Sequence, residues 1–271
     1  MLDDQHGARE SRRSLLRVDS LSHRFEGSRD GRFAIADASL ELFPGEVVAI
    51  VGESGSGKTS LLNCIAGRIA PTQGHVNYLG ADGRWVDVHA LTERELRVLA
   101  RTEWGFVHQH AADGLRMGVS AGANVGERLM GQGVRHYGQL RQAATEWMER
   151  VELDPGRIDD SPGSFSGGMR QRLQIARSLV TRPRLVLMDE PTSGLDVSVQ
   201  ARLLDLIRML VARMHLSALI VTHDLGVARL LAHRTLVMRD GRIVEQGLTD
   251  RVLDDPRHAY TQLLVSSVVA P

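Results

Sequence analysis

The stretch Gly52-Glu53-Ser54-Gly55-Ser56-Gly57-Lys58-Thr59 decides the fold of this 271-residue chain. It fits the pattern G-x-x-x-x-G-K-[ST] and directly follows the apolar run 47–51, an order that predicts a buried strand, a glycine-rich turn and a helix. The glycines let the backbone turn its N–H groups inward, where they and the helix N-terminus can meet a polyphosphate. Lys58 adds a positive charge near the β- and γ-phosphates, and the Thr59 hydroxyl is a ligand for Mg²⁺. The alternative, an ordinary glycine-rich turn, is disfavoured by the complete pattern and its flanks.

Composition limits the class of protein. Lys+Arg and Asp+Glu both number 33, and this balance argues against bulk binding to nucleic acid, so we expect no nucleic-acid partner. No apolar run approaches the roughly 20 residues that cross a bilayer, so we expect contact with a membrane only through a partner. The single cysteine, Cys64, fits a reducing compartment, and we expect a cytoplasmic protein. Residues 1–13 are polar and are predicted to form a flexible N-terminal extension.

The remaining pattern alternates strands with helices. Apolar strand runs and hairpin signals are predicted at 15–42, 75–79, 84–88, 104–107, 185–188, 217–222 and 236–245. Helices are predicted at 58–68, 92–101, 166–180 and 199–214, and Thr92 with Glu95 forms a capping box. Buried strands in a strand–helix–strand order predict an α/β fold with a mostly parallel sheet. Residues 110–180 read as a mainly helical insertion.

Two carboxylates end the apolar run 185–188. An apolar strand delivers acids to the rim of a parallel sheet, where open α/β folds bind ligands. Asp189 can hold the Mg²⁺ shell, and Glu190 can orient and deprotonate an attacking water. Alone, such a strand end is usually only solvated, but together with a phosphate loop on the same sheet it indicates a nucleotide site.

Polar side chains also follow two other predicted strands, and another stands at the start of a predicted helix. Gln109 follows 104–107 and His223 follows 217–222. Ser166 is a natural N-cap before Gly167 and Gly168, whose lack of side chains exposes the first amides of a helix as an anion site. The residues alone nevertheless favour an ordinary capped helix. His108 and His110 could share a face as metal ligands, but no third or fourth ligand stands at a convincing spacing.

This ordered set of motifs, from about residue 15 to 271, resembles the ATP-binding-cassette (ABC) ATPases. The resemblance implies a P-loop NTPase core with a mostly parallel sheet, a small antiparallel β-subdomain and an inserted helical subdomain at about 108–180. It implies one ABC ATPase domain over 14–271, which hydrolyses ATP to ADP and phosphate with Mg²⁺. Such domains pair, so that the signature motif of one chain closes on the Walker A loop of a second ABC ATPase chain, in a homodimer or with a related subunit.

The resemblance assigns roles by position in this sequence. The implied catalytic residues are Glu190, His223 and Gln109, and the implied Mg²⁺ ligands are Thr59, Gln109 and Asp189. The implied ATP-binding residues are Phe25, which would stack on adenine, Gly52, Ser54, Gly55, Ser56, Gly57, Lys58, Thr59, Ser60, Ser166, Gly167, Gly168 and Asp196. For Phe25 a place in the core is the competing interpretation. Phe165 and Met169 depart from the usual LSGGQ signature, which leaves the hydrolysis rate open.

A closer resemblance concerns the partner. The runs 196–201 and 255–261 resemble the oligopeptide/dipeptide importer branch, and 108–116, 126–130, 135–138 and 248–255 resemble ATP-binding proteins of the carbon–phosphorus lyase system for phosphonate use. The expected partner is therefore the carbon–phosphorus lyase core, with a membrane permease for peptides, nickel or phosphonates as the alternative. The segment 108–137 is the expected docking surface, with Arg116 and Arg128 among its contacts. A clamp that binds ATP but rarely hydrolyses it is a third hypothesis, against which Glu190 argues.

Overall fold

The computed structural model describes residues 13–24 and 33–269. Within these residues the strands are β1 Leu16–His23, β2 Ile35–Leu42, β3 Val47–Val51, β4 Gln73–Leu79, β5 Trp85–Asp87, β6 Trp104–Val107, β7 Leu185–Asp189, β8 Ser217–Val221, β9 Arg234–Arg239 and β10 Arg242–Leu248. The helices are α1 Lys58–Ile65, α2 Glu93–Thr102, α3 Ala111–Gly114, α4 Ala121–Gly131, α5 Tyr137–Arg150, α6 Gly167–Leu179, α7 Val197–Met214, α8 Leu225–Leu231, α9 Thr249–Asp254 and α10 Ala259–Val269.

Two sheets organise the chain. The larger has the strand order β10-β9-β3-β8-β7-β6, and its neighbours are parallel except for the β9–β10 hairpin. The smaller has the order β2-β1-β4-β5 and is antiparallel throughout. Helices α3 to α6 lie between β6 and β7 in the chain. The predicted fold class, a parallel core sheet with an antiparallel β-subdomain and a helical insertion, is confirmed. The domain bounds at 14–271 and about 108–180 stay predictions.

Strand β3 is fully buried and separates two parts of the core, because successive side chains of a strand point to opposite faces. Val48 and Ile50 pack with α1 and the smaller sheet. Ala49 and Val51, on the opposite face, pack with residues of α8, α9 and α10, including Tyr260. The loop that follows β3 is therefore supported on one side by α1 and on the other by the C-terminal helices.

Some predicted bounds differ from the structure. Helix α1 ends at Ile65 rather than near residue 68, because Gly67 has φ +70° and the N–H groups of Arg68 and Ile69 both turn back to the Asn63 carbonyl. Helix α7 begins at Val197, two residues before the predicted start. The predicted capping box of α2 is present: the Glu95 N–H donates to Thr92 Oγ1 and the Thr92 N–H to the Glu95 carboxylate.

No helix in residues 13–24 and 33–269 combines the length and apolarity needed to cross a membrane. The predicted N-terminal extension, residues 1–13, lies outside the described residues except for Arg13. Phe25, the residue implied to stack on adenine, also lies outside them.

Candidate active site

The glycine-rich loop 52–59 joins the carboxyl end of β3 to the first turn of α1. Gly52 and Gly57 have φ +150° and +100°, a region that side chains rarely adopt. A Cβ atom would also collide with the backbone oxygen of Met238 at the first position and of Ala34 at the second. Both glycines are therefore required by the conformation. Ser54 and Gly55 are exposed, and Ser60 is half-buried in the first turn of α1.

Lys58 is folded back into this loop. Its ammonium donates to the carbonyl oxygens of Gly52 at 2.8 Å and Glu53 at 2.7 Å, and it lies 3.5 Å from the Ser56 hydroxyl. Burial lowers the pKa of Lys58, and the nearby carboxylates of Glu190, Asp189 and Glu53 oppose this shift. The loop thus holds a cation at its centre, where the amides of a phosphate loop converge. It is the only lysine of the chain.

Thr59 and Asp189 bring two oxygen ligands together. The Thr59 hydroxyl donates to Asp189 Oδ1 at 3.0 Å across the gap between α1 and the end of β7. Burial raises the pKa of Asp189, and the Thr59 hydrogen bond opposes the shift. A hydroxyl and a carboxylate are hard oxygen donors of the kind that Mg²⁺ prefers, and Mg²⁺ usually takes only one or two protein carboxylates with phosphates and water. Within the described part of the chain, no group of three or more His, Cys, Asp or Glu side chains could hold a metal.

Glu190 lies between the side chains that follow two other strands. Gln109, after β6, donates its amide to Glu190 Oε2 at 3.3 Å, and His223, after β8, has Nδ1 3.2 Å from Glu190 Oε1. The parallel register of β6, β7 and β8 brings their carboxyl ends to one edge. The structure therefore brings together the three side chains that the sequence predicted as catalytic. Ser193, which is not among the predicted site residues, accepts a second hydrogen bond from Gln109 at 3.2 Å.

The backbone of Glu190 is strained. Its φ of +42° lies in the left-handed region, which for a residue other than glycine costs on the order of 1 kcal/mol or more. Two backbone hydrogen bonds hold it: its N–H donates to the Val221 carbonyl at 2.9 Å, and its carbonyl accepts from Ser193 at 3.0 Å. The conformation is thus fixed by the neighbouring strand and by the turn that follows. Nothing in the local sequence indicates it.

The signature segment 166–169 opens α6. The Ser166 hydroxyl accepts from the Met169 N–H at 3.3 Å, as predicted for an N-cap. Ser166 and Gly167 are exposed, whereas Phe165 is buried beneath the Arg157 guanidinium, 4.4 Å from its ring centroid. The two departures from the usual signature, Phe165 and Met169, are thus packing residues. Within the described residues, no hydrogen bond joins this segment to the glycine-rich loop of the same chain.

Asp196 and Gly168 complete the predicted set. Asp196 stands at the N-cap position of α7, and its side chain makes no capping hydrogen bond. Gly168 is buried against α7, where a Cβ atom would collide with the Val199 side chain. The signature helix α6 and the first turn of α7 are therefore in contact within one chain.

The metal pair considered at 108 and 110, for which the sequence offered no further ligands, has no support in the geometry. His108 Nε2 lies 3.3 Å from the Arg68 guanidinium, and the ring packs against Phe106 with centroids 4.6 Å apart. Burial and the Arg68 charge lower the pKa of His108 to about 4, so the ring is neutral near pH 7. A cation beside the ring nitrogen opposes binding of a second cation there.

A glutamine clamp attaches the same segment to α6. Gln174, which is fully buried, accepts from the His108 N–H at 2.7 Å and donates to the His108 carbonyl at 3.1 Å. Gln171 donates to that carbonyl as well, at 3.2 Å. Gln109 is therefore anchored through its neighbour to the helix that carries the signature. The sequence signal for this contact was the pair of glutamines at i and i+3 on an otherwise apolar side of the helix.

Arg128, predicted to lie on a docking surface, is half-buried and hydrogen-bonded within the chain. Its guanidinium donates to the backbone carbonyls of Ala100, Arg101 and Trp104 and so joins α4 to the end of α2 and the start of β6. Burial lowers its pKa to about 10. By contrast, the Arg116 side chain is 61% exposed. The Arg128 guanidinium thus satisfies carbonyls at the end of α2. That Arg128 contacts a partner stays a prediction.

Comparisons with known proteins agree with this geometry. The sequence profile of the ABC transporter family matches residues 35–193. The chain is 60% identical, over 94% of its length and 98% of the relative's, to an Escherichia coli K12 protein named phosphonates utilization ATP-binding protein PhnK. It is 36% identical, over 95% of its length and 78% of the relative's, to a protein of Brucella melitensis named as a peptide import ATP-binding protein.

Solved structures agree as well. The ATP-binding cassette MJ0796, in a dimeric post-hydrolysis state bound to ADP and Pi, matches with a TM-score of 0.77 at 28% identity, covering 87% of this chain and 99% of that one. A second dimeric structure of that cassette matches with the same TM-score. Cassettes of this kind form dimers, bind ATP and hydrolyse it. The chain belongs to the ABC transporter family and is an ATP-binding ATPase of that family.

Proposed function

We propose that this chain hydrolyses ATP in the presence of Mg²⁺ with the side chains gathered at the ends of β3, β6, β7 and β8. The observation that carries the proposal is the Glu190 carboxylate, which lies between the Gln109 amide and the His223 imidazole. Thr59 and Asp189 are the residues that would hold Mg²⁺, which supplies charge to the phosphate oxygens when bound.

In this proposal the protein mainly positions groups and supplies charge. Lys58 leaves its loop carbonyls for the β- and γ-phosphates, because phosphate oxygens carry more negative charge than carbonyls. Glu190 accepts a proton from the attacking water, while Gln109 and His223 orient the carboxylate and the water. Ser166, Gly167 and Gly168 act on the γ-phosphate bound to a second chain, and Asp196 belongs to the same interface.

Glu190→Gln tests the role of the base. The change keeps size and polarity but removes the proton acceptor, so turnover should fall roughly 10²–10⁴-fold while ATP affinity stays near that of the wild type. Glu149→Gln, an exposed carboxylate on α5, is the matched control and should hydrolyse ATP normally. Hydrolysis by Glu190→Gln at the wild-type rate would exclude Glu190 as the base. A wild type that binds ATP but barely turns it over would favour the clamp hypothesis.

We further propose that this ATPase serves the carbon–phosphorus lyase complex of phosphonate use, in the cytoplasm. The support is the 60% identity with the E. coli relative named for phosphonates utilization, against 36% for the relative named for peptide import. The latter keeps a membrane permease as the alternative partner. In either case nucleotide-driven closure of two ATPase chains would be transmitted to the partner.

The docking surface that fits this proposal is a cleft of about 390 Å³ between α2 and α4. It is lined by Arg94, Arg97, Val98, Arg101 and Gly131. Val98 is 55% exposed and Met130 beside the cleft is 44% exposed. Apolar side chains among arginines suit a partner with an acidic rim around an apolar anchor. The cleft adjoins Arg128, whose contacts to α2 and β6 link it to the strand that precedes Gln109.

Charge reversal in the cleft tests this surface. The double variant Arg94→Glu/Arg101→Glu should lose co-purification with the lyase core from cells grown on a phosphonate, while ATP binding stays unchanged. Arg202→Glu/Arg213→Glu, two exposed arginines of α7 outside the cleft, is the control for the same change of net charge. Retained core binding in the cleft variant would reject this surface. Recovery of a membrane permease with the wild type would replace the lyase partner by the importer alternative.

A further inference from the structure

One peptide group of the glycine-rich loop is bonded on both sides. The carbonyl of Gly52 accepts from the Lys58 ammonium at 2.8 Å. The N–H of the same peptide group, which belongs to Glu53, donates to the Tyr260 hydroxyl at 3.1 Å. Tyr260 lies in α10, 207 residues away in sequence. The Tyr260 side chain of the C-terminal helix therefore bonds to the peptide group whose carbonyl binds the Lys58 ammonium.

The Tyr260 hydroxyl is held firmly in place. The residue is only 4% exposed and packs with Ala49 and Val51 of the strand that enters the loop. The Arg239 guanidinium lies 4.9 Å from its ring centroid. Its own N–H donates to His258 Nδ1 at 3.1 Å, which fixes the first turn of α10.

The turn before α10 is fixed in its place by Glu245 of β10. The two carboxylate oxygens of Glu245 accept from the N–H groups of Arg257 at 2.8 Å and His258 at 3.0 Å. The hydroxyl thus sits on a support built from β9, β10 and α10. It lies outside the glycine-rich loop and the three strand ends that bear Gln109, Glu190 and His223.

The peptide group needs such a support because its first residue is glycine. Gly52 has φ +150° and no Cβ, so no side chain of its own restricts rotation of the 52–53 peptide. Rotation would turn the Gly52 carbonyl away from Lys58 and leave the ammonium with one backbone partner fewer. The hydrogen bond from the Glu53 N–H to Tyr260 opposes this rotation, because rotation would break it.

We propose that Tyr260 is a positioning residue of the ATPase, which sets the orientation of the 52–53 peptide and through it the place of the Lys58 ammonium. The inference rests on the proposed role of Lys58 at the phosphates. Tyr260 does not touch the nucleotide in this proposal and acts only through the loop. The position of the Lys58 ammonium in the phosphate site therefore depends on how the C-terminal helix α10 packs against β3.

Tyr260→Phe tests the proposal, because it removes one hydroxyl and keeps the ring. Lys58 is the only lysine, so an amine-reactive reagent such as trinitrobenzenesulfonate labels one side chain, with the N-terminal amine as an internal standard on a separate peptide. In nucleotide-free full-length protein, the variant should label Lys58 about three- to tenfold faster, because loss of an acceptor both frees and exposes the amine. The KM for ATP should rise about fivefold, the scale of one hydrogen bond, while kcat changes less than about twofold.

Tyr78→Phe is the matched control. Tyr78 lies in the smaller sheet and is fully buried, and its hydroxyl donates to Glu103 at 2.9 Å. The control therefore also deletes a buried, hydrogen-bonded hydroxyl. It should leave both the labelling rate and the KM unchanged. Equal effects of the two variants, or wild-type values for Tyr260→Phe, would overturn the proposal.

Two further measurements keep the outcome unambiguous. If Tyr260→Phe does not fold, His258→Ala takes its place, since it loosens the first turn of α10 and keeps the hydroxyl. His258→Ala should accelerate labelling of Lys58. An unchanged labelling rate would reject the proposal. Saturating MgATP should protect Lys58 in the wild type. Absence of that protection would refute the role of Lys58 at the phosphates, whereas the nucleotide-free comparison judges Tyr260 alone.

Discussion

At the scale of single residues, the hydrogen bonds of Lys58 explain why the loop favours an anionic ligand. Its ammonium is buried, yet each of its hydrogen-bond partners is a neutral carbonyl or hydroxyl oxygen of the loop itself. A polyphosphate gives this ammonium negatively charged oxygens as acceptors. Hydrogen bonds between charged groups are roughly twice as strong as neutral ones. The folded loop therefore favours exchange of its own carbonyls for phosphate oxygens.

Lys58→Ala should weaken ATP binding by about 1.5–3 kcal/mol, which is roughly a 10- to 150-fold rise in Kd. The physical reason is loss of the charge nearest the β- and γ-phosphates. Isothermal titration calorimetry on the folded variant measures the change. Arg84→Ala, whose side chain is 86% exposed in the β4–β5 turn, removes a charge elsewhere and should bind ATP normally. An unchanged Kd for Lys58→Ala would show that the loop is only a turn.

His108 should make the protein sensitive to acid. Its folded-state pKa is about 4, against 6.5 for an unperturbed histidine, so the unfolded chain takes up the proton first as the pH falls. The stabilisation is complete above pH 6.5 and is lost as the pH falls toward 4. Between pH 7.5 and 5.0 the free energy of unfolding should drop by about 1–2 kcal/mol more in the wild type than in His108→Phe. Urea unfolding at the two pH values checks this, and equal drops would contradict the shifted pKa.

At the scale of elements, the junction of α4 with α2 and β6 depends on Arg128. Arg128→Met should lower the free energy of unfolding by about 2–4 kcal/mol, because three backbone carbonyls lose their donor. Arg116→Met, on the exposed segment just before α4, should change it by less than about 0.5 kcal/mol. Denaturant titration of both variants gives the comparison. Similar small losses would place Arg128 at the surface after all.

These elements also show what the sequence could predict. Gln109, Glu190 and His223 each follow an apolar strand, and parallel strands end at one edge, so their meeting could be foreseen. The orientation of Arg128 could not, because an arginine on a helix looks the same in sequence whether it faces solvent or the end of another helix.

The same limit applies to contacts made by the backbone. The bond from Tyr260 to the loop joins residues 207 positions apart and ends on a backbone N–H, which leaves no mark in the local pattern. The left-handed φ of Glu190 is likewise imposed by Val221 and Ser193, which are brought close only by the folded sheet. Motifs therefore predicted which residue types gather at the site, and tertiary packing decided how they are held.

At the scale of the whole molecule, the proposed function divides the phosphate site into two halves that lie apart in one chain. The glycine-rich loop with Lys58 forms one half, and the exposed start of α6 with Ser166 forms the other. The first amides of α6 form a helix N-terminus, which favours an anion, and within the described residues no hydrogen bond links them to the chain's own loop. In a two-fold dimer each half can meet the complementary half of the partner, which yields two composite sites.

Mixing two inactive variants should reveal these composite sites. In a homodimer of one Lys58→Ala chain and one Ser166→Arg chain, one site carries both lesions and the other is intact. Random pairing makes about half of the dimers mixed, each with one of two sites, so activity should recover to at most about a quarter of the wild-type rate. Each variant alone should be nearly inactive, and a mixture of two Lys58→Ala preparations with different tags is the control. The measurement is ATP hydrolysis after mixing, with mixed dimers counted by native mass spectrometry. Absence of recovery despite abundant mixed dimers would mean that loop and signature do not act across the dimer interface.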